Sequence, residues 1–385
     1  MNLANWTSWS TMHASARWSA ICDLLCVAGV LVALLACVVH WRASQSGEAT
    51  RGFGALVTRS KLLLTAAAFV AMLFSVSWRA VEVNHFPSQT MSEVLNMFAT
   101  ALIASMLVLH FALGMQRRGP GWAILDDVLV ALTLGGVFFT HIYIQTLTTA
   151  QRDLPPALQS YWFAPHLVSL IFSYATMGIA AFVAIAYFTT RFWCGLFQGG
   201  FSKGSQWLIF AGLALVPFVQ VVTLPILALS GVVFFVLLRM RRLPTSDQLR
   251  ALERELDDVS FRAFAVGIPF LTAGLWMGAF WAQEAWANYW GWDSKENSAL
   301  ITWLVYIIYI HLRLLGGYRG AKAMSVLVGG ALSVFLTFQI FGYLPDSQKS
   351  LHRYTDDGVR PMEGQQGGMP VDDKQVRADV PADER

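Results

Sequence analysis

Charge is what this chain has least of. Only 13% of its 385 residues are Asp, Glu, Lys or Arg, 56% are hydrophobic, and mean hydropathy is +0.51. That balance excludes an ordinary soluble domain. The net charge of +3 gives no reason to expect a nucleic-acid partner. Cysteine is scarce as well. Cys22, Cys26, Cys37 and Cys194 lie in or beside apolar runs without a CxxC pair, which excludes a thiol-redox motif or a zinc knuckle and leaves buried structural thiols. The first nineteen residues lack the pattern of a cleaved signal, and the apolar run that follows is too long for a signal core. Residues 1–19 are therefore expected to form a short external N-terminus. From Thr355 onward there is no aromatic residue, and Gly, Pro, Asp and Gln dominate, so 355–385 is expected to be a disordered external tail. No internal repeat is evident.

What the chain has instead is long apolar runs. A spanning helix needs about 20 mostly apolar residues. Runs at 20–40, 62–80, 92–115, 122–145, 165–190, 262–282, 298–316 and 323–343 qualify. A further block, 207–238, is broken by Pro217 and Pro225 and reads as a hairpin or re-entrant element. The expected fold is all-α: a polytopic membrane helical bundle over 20–354, with eight core spans and this additional element. Residues Pro244 to Arg262, with LRALERELDD, read as a cytoplasmic amphipathic helix.

Lys and Arg in short loops set orientation. Arg42, Arg51, Arg59 and Lys61 follow the first span, Arg117 and Arg118 the third, Arg191 and Lys203 the fifth, and Arg313, Arg319 and Lys322 the seventh. Those loops are expected to face the cytoplasm. The alternate loops are poor in basic residues and are expected outside.

One of these outer loops is unusual. From Trp281 to Trp303 the chain reads WAQEAWANYWGWDSKENSALITW, with four aromatic rings between Trp286 and Trp292, followed by Asp293, Lys295 and Glu296. Tryptophan belts at membrane surfaces are common, and that is the plain structural alternative. A belt, however, needs one or two rings per helix end. Four rings within seven residues beside an acid and a lysine fit a shelf for a planar hydrophobic ligand with charged edges.

Imidazole is the usual protein ligand for haem iron, and an ionisable residue inside a membrane is a functional candidate by default. By depth, His166 opens the fifth span at the outer surface and His352 follows the eighth at the same surface. Together with the aromatic segment they bracket a site suited to bis-His ligation of a haem. His311 lies inside the seventh span near its cytoplasmic end, with His110 at comparable depth in the third. A second, inner haem could use His311 with His110 or with a histidine of another chain. The structural alternative for His110 is a packed ring bonding a backbone carbonyl. His85 reads as shaping an outer loop, whereas His13, His40 and His141 read as interfacial without a role.

WANYWGWDSKENSALITW resembles the tryptophan-rich signature of the haem-handling superfamily that includes CcmC, CcmF and CcsA, and the chain is most similar to the CcsA (ResC) family of System II cytochrome c maturation. NHFPSQTMSEVL resembles that family's outer-loop motif, PALQSYWFAPHLVSLIFSYA its external-histidine helix, and ITWLVYIIYIHLRLLGGYRG with the later LHRY its closing segment. The resemblance covers roughly residues 60–190 and 260–355. It implies that His166 and His352 are external axial ligands, that Trp286, Trp290, Trp292 and Asp293 form the haem-binding signature, and that His311 is the transmembrane histidine. The inner haem's other ligand would then come from a CcsB (ResB) partner subunit, leaving His110 structural. The chain departs from the pattern at Ser294, where the family usually has proline, in LHRY for the usual LHSY, and in the added block 207–238.

The function so implied is a holocytochrome c synthase. Haem b, bound ligand and substrate at once, is carried across the membrane and joined to the CxxCH motif of apocytochrome c by addition of two thiols across its vinyl groups. His166, His352 and Asp293 would be the catalytic set, and Lys295 is the nearest candidate for a haem propionate. Expected partners are CcsB, apocytochrome c, the lipid bilayer and thiol-reducing proteins. The expected location is the bacterial cytoplasmic membrane, with the thylakoid membrane as organellar equivalent and the tryptophan segment facing the periplasm. The rival readings are CcmC-like loading of haem onto a chaperone without thioether formation, a haem-free transporter or channel, and a di-haem cytochrome b.

Overall fold

The computed structural model describes residues 12–46, 52–115, 119–147, 155–198 and 245–339, with Gly231 and Phe235 as isolated positions. His352, the tail at 355–385 and nearly all of the expected element at 207–238 lie outside these residues. Among the described residues there are eight long helices: α1 (Ala14–Ser46), α2 (Phe53–Val83), α3 (Met91–Leu113), α4 (Pro120–Ile144), α5 (Phe163–Gln198), α6 (Ser246–Trp286), α7 (Ser294–Leu314) and α8 (Ala321–Gln339). A single 3-10 turn, Pro156–Leu158, precedes α5. Seven of the helices are long and apolar enough to cross a membrane, and α8 carries a shorter apolar stretch, Ala321–Thr337. The chain is a polytopic, all-helical membrane protein. The eighth expected span is present as this shorter helix.

Local chemistry explains the helix boundaries. Thr90 caps α3 by accepting from the Glu93 N–H while the Glu93 carboxylate accepts from the Thr90 N–H, a reciprocal box. α4 opens with Pro120 in its first turn, where proline's missing N–H costs nothing. Thr245 and Gln248 repeat the box at the start of α6.

The amphipathic helix expected at 244–262 and the span expected at 262–282 are one element. α6 runs unbroken for 41 residues, about 62 Å at 1.5 Å per residue, or roughly twice the ~30 Å hydrocarbon thickness. The reason is a single stripe. Leu256, Val259, Ala263, Gly267, Leu271, Gly274 and Trp281 are all buried at spacings of three, four or seven, so the same face packs inward throughout. That face lies along α5, itself 36 residues long. Among the described residues these two helices form the most extensive contact. α1 packs on α2 and α4, α3 joins α4 to α5, and α8 bridges α5 and α7. A buried hydrogen bond of 2.7 Å between the Ser105 and Thr176 hydroxyls crosses from α3 to α5.

Three histidines are placed differently from expectation. His40 and His141 are buried rather than interfacial. Nδ1 of His40 lies 2.6 Å from Asp127, and Nδ1 of His141 lies 2.5 Å from Asp23. His110 bonds a carboxylate, Asp126, at 2.8 Å rather than a backbone carbonyl. In all three cases the partner is an aspartate on a neighbouring helix, which sequence spacing does not reveal. Lys61, expected in a loop, is inside α2 and buried. Cys22, Cys26 and Cys194 are buried and Cys37 partly so, and all are free thiols.

Candidate functional site

His166 sits one turn into α5, at the end where α6 stops and α7 begins. Its Nδ1 lies 2.7 Å from the carbonyl oxygen of Gly274 on α6. A carbonyl can only accept, so Nδ1 carries the proton and the ring's in-plane lone pair is on Nε2. Metal-bound histidines are commonly oriented this way. The position of the ring depends on two missing side chains. A β-carbon on Gly278 would fall 2.7 Å from Cε1 and 2.8 Å from Nδ1 of His166, and one on Gly274 would fall 2.6 Å from Leu170. Glycine at both positions lets α5 and α6 approach closely enough for the carbonyl bond.

Trp281 forms the floor beneath this histidine. It is 3% exposed, its Nε1–H donates to the Ala157 carbonyl at 2.7 Å, and its ring stacks on His166 with centroids 5.6 Å apart. Phe163 at 5.1 Å and Trp286 at 4.9 Å enclose the same ring. A second row of rings runs beside it. Tyr161 meets Trp162 at 5.0 Å, Trp162 meets Phe280 at 4.9 Å, and Phe280 meets Tyr289 at 6.5 Å. Ser160 donates to the Glu284 carboxylate, so the turn before α5 is tied to the last turn of α6. His166 and Trp286 therefore belong to one continuous aromatic cluster.

The segment beyond Trp286 turns sharply. Ala287 ends α6 in the left-handed region at φ +56°, and Trp292 repeats that conformation at φ +56°. Such φ values are strained for residues with a β-carbon. Side chains hold the turn. Asp293 caps α7, accepting from the Lys295 N–H at 2.7 Å. The Glu296 carboxylate accepts from the Gly291 and Asp293 N–H groups at 2.8 and 3.1 Å, and Asn297 donates to the Trp292 carbonyl at 2.8 Å. Ser294 stands at the first helical position, where proline is well tolerated, and the cap closes without it. Trp290 and Trp292 meet edge to face, 6.2 Å apart and 82° between planes. They form a corner rather than a flat shelf. Trp292 is 72% exposed, while the indole N–H of Trp290 is buried with no acceptor among the described residues.

His311 lies far from this cluster, seventeen residues along α7 from Ser294, or about 26 Å. Its Nδ1 donates to the Ile307 carbonyl at 2.8 Å, again leaving the lone pair on Nε2. The ring is exposed and shares its helix face with Ile301, Leu304, Ile308 and Leu315, all exposed. Beside this face, α6 and α7 part to leave an open apolar groove of about 530 Å³ lined by Ile268, Pro269, Thr272, Trp276, Ile307 and Ile310. The pairing of His311 with His110 is not formed: His110 faces Asp126 on α4, and among the described residues α3 has no extended contact with α7.

A family model described as cytochrome C assembly protein matches residues 62–345, which is most of the chain and takes in His166, the tryptophan segment and His311. The chain belongs to the cytochrome c assembly protein family. Among its relatives, cytochrome c biogenesis protein CcsA of Synechocystis sp. is 30% identical over 340 residues, covering 84% of this chain and 94% of that protein. CcsA of the alga Heterosigma akashiwo is 29% identical over 310 residues, covering 78% and 88%. CcsA of Chlorella vulgaris is 30% identical over 290 residues, covering 74% and 84%. The region by which this cytochrome c assembly family member matches the family model excludes α1, the start of α2 and His352. Trp281, Gly274 and Gly278 were not apparent as site residues in the sequence. The signal for them was there, as a glycine at 274 and 278 and a tryptophan at 281 on the face of α6 that also carries Gly267.

Proposed function

We propose that this member of the cytochrome c assembly family attaches haem covalently to the CxxCH motif of apocytochrome c, acting with a CcsB-type partner. The observation that carries the reading is His166, fixed by the Gly274 carbonyl with its lone pair on Nε2, on an aromatic floor at the mouth of two membrane helices. Haem is the substrate. Each thiol adds across a vinyl double bond, the sulfur to one carbon and the hydrogen to the other, so nothing leaves and two thioether bonds result.

The chain's own residues supply holding and orientation. His166 would take one axial position and His352 the other, the second assignment resting on the family resemblance alone. Trp286, Trp290 and Trp292 would bury and align the macrocycle, because aromatic faces bind a flat apolar surface and exclude water from it, with Trp281 holding His166 from beneath. The Trp290 N–H lacks an acceptor among the described residues, and a propionate oxygen would provide one. Lys295 remains the nearest cation by sequence. Asp293 acts by capping α7, which fixes the turn carrying Trp290 and Trp292; its effect on the chemistry is through position.

His311 supports a second, inner site. An imidazole on an exposed apolar helix face is costly in lipid, and the cost is removed if a partner histidine and a bound haem cover it. The groove between α6 and α7 would then be part of the route from that site to the tryptophan segment, taken to lie on the periplasmic side of the bacterial cytoplasmic membrane.

The test is co-expression with a CcsB-type subunit and an apocytochrome, with no haem chaperone supplied. Covalent cytochrome c from the wild-type pair, its loss in His166→Ala, and partial recovery with added imidazole are expected. Haem bound but never joined to the apocytochrome would instead favour chaperone loading, and a preparation without a Soret band would sink the haem reading altogether.

A further inference from the structure

Four helices bring five ionisable side chains together at the end of the bundle opposite the tryptophan segment. Lys61 of α2 contacts Asp126 at 2.5 Å and Asp127 at 2.6 Å, both on α4. Asp127 is also 2.6 Å from Nδ1 of His40 on α1, and Asp126 is 2.8 Å from Nδ1 of His110 on α3. The side chains of Lys61, Asp126 and Asp127 are wholly buried, that of His40 is 6% exposed and that of His110 is 11%. The proposed haem sites use none of them, His110 being held by Asp126 rather than paired with His311, and His40 and Lys61 fall outside the residues the family model matches.

Charge balance separates this cluster from a structural staple. One lysine against two carboxylates leaves a net charge of minus one in a region that solvates charge poorly. Buried ions persist only when paired and hydrogen-bonded. A staple would need only Lys61 and a single aspartate. The second aspartate leaves one unbalanced charge, and each carboxylate holds one imidazole. One proton on either ring makes the cluster neutral; a second would overcharge it. The surroundings accept both states. The Thr58 hydroxyl lies 3.4 Å from Nε2 of His40 and, as a hydroxyl, it can donate to a neutral ring or accept from a charged one. His110 has Phe111 edge-on beside it at 5.1 Å and is the least buried member. Among the described residues, the Cys37 thiol of α1 is a further titratable group within electrostatic reach of Asp127 and Lys61.

We propose that Lys61, Asp126, Asp127, His40 and His110 form a membrane-embedded proton-binding site that holds one exchangeable proton, shared between the two histidines. The proton comes from water at the adjacent face and enters through His110, the least buried of the five side chains. Protonation converts one neutral imidazole into an imidazolium and nothing else changes.

The experiment counts imidazolium rings. The full chain, with isotope-labelled histidine, is placed in lipid nanodiscs near neutral pH, and the His40 and His110 resonances are assigned from His40→Gln and His110→Gln. The unsubstituted chain should show a total of one imidazolium over the two rings. Lys61→Met should raise the total to two, because both carboxylates then need a cation. Asp127→Asn should lower it to zero, because Lys61 and Asp126 balance alone, and Asp126→Asn makes the same charge change at the other carboxylate should one variant fail to fold. Loss of one ring in His40→Gln should leave the whole proton on His110. A count that stays the same across the lysine and aspartate variants, or that moves in the opposite direction, overturns the proposal. Because no haem enters the measurement, its outcome is independent of the synthase reading.

Discussion

Gly278 is where a single methyl group decides whether His166 keeps its place. The ring occupies the space a β-carbon would need, at 2.7 Å, and the neighbouring atoms belong to a stiff imidazole already bonded to Gly274. Gly278→Ala should therefore push the ring off the Gly274 carbonyl, at a cost of about 1–3 kcal/mol for overpacking. The expected result is a clear drop in haem retained at the site proposed beside His166, read from the Soret band, with far less change in helix content. Trp281→Phe is the gentler partner experiment. It keeps a ring under His166 but removes the N–H that donates to Ala157, so stability should fall by about 0.5–1.5 kcal/mol, measured as a lower midpoint of thermal unfolding, while haem binding persists. At this scale the sequence displayed the chemistry-bearing residues but not their supports. A histidine or a tryptophan announces itself. That Gly274 presents a carbonyl and Gly278 leaves room for the imidazole follows only from the close approach of two helices. For the same reason the aspartates paired with His40, His110 and His141 could not be read from spacing, since each partner is on another helix.

Between residue and molecule, α6 is the element whose length the sequence understated. Arg262 and the charged run before it suggested a boundary, yet the buried stripe continues through that run, with the inward-facing Asp257 paired to Arg313. The end of α6 that lies beyond the apolar span is held by its own buried pair. Arg313 of α7 donates to Asp257 at 2.7 Å, and the Gly320 N–H donates to the same carboxylate at 3.0 Å. Asp257 is 6% exposed and Arg313 2%. Removing one partner of such a pair leaves a buried unpaired charge, so Asp257→Ala should cost about 3–5 kcal/mol and lower the thermal midpoint markedly. The double variant Asp257→Leu with Arg313→Met should recover much of the loss, since it removes both charges together. If the single variant unfolds at the wild-type temperature, the pair does not hold α6 to the loop between α7 and α8. The tryptophan loop shows the opposite balance of legibility. Its composition was conspicuous, but its shape, two left-handed residues and a capped helix start, came from the Asp293 and Glu296 side chains rather than from the rings.

Over the described residues, the apolar spans and the all-helical class were legible because about 20 apolar residues have few alternatives to crossing a bilayer. Which helix faces touch lipid was not legible, because large apolar side chains occupy the exposed and the buried faces of the spans alike. α7 is the informative case. It packs chiefly on α8 and only weakly on α6, leaving Ile301, Leu304, Ile308 and His311 along one exposed face. Lipid would satisfy the isoleucines and the leucine equally well, but not the imidazole. A partner subunit that supplies a second histidine should therefore lie along this face and extend beyond His311 by at least a helical turn in each direction. Photo-crosslinking residues placed on either side of Leu304, at Ile301 and Ile308, should capture a co-expressed CcsB-type subunit. The same probe at Phe139, exposed on α4, should capture none. If the proposed inner haem is held there, substituting His311 by alanine should leave the Ile308 crosslink in place but remove that haem's spectral contribution, because the face would bind the partner through packing and the haem through iron. Crosslinks of equal yield from α4 and α7 would show that the exposed stripe has no preferred partner, and His311 would then need a different cover.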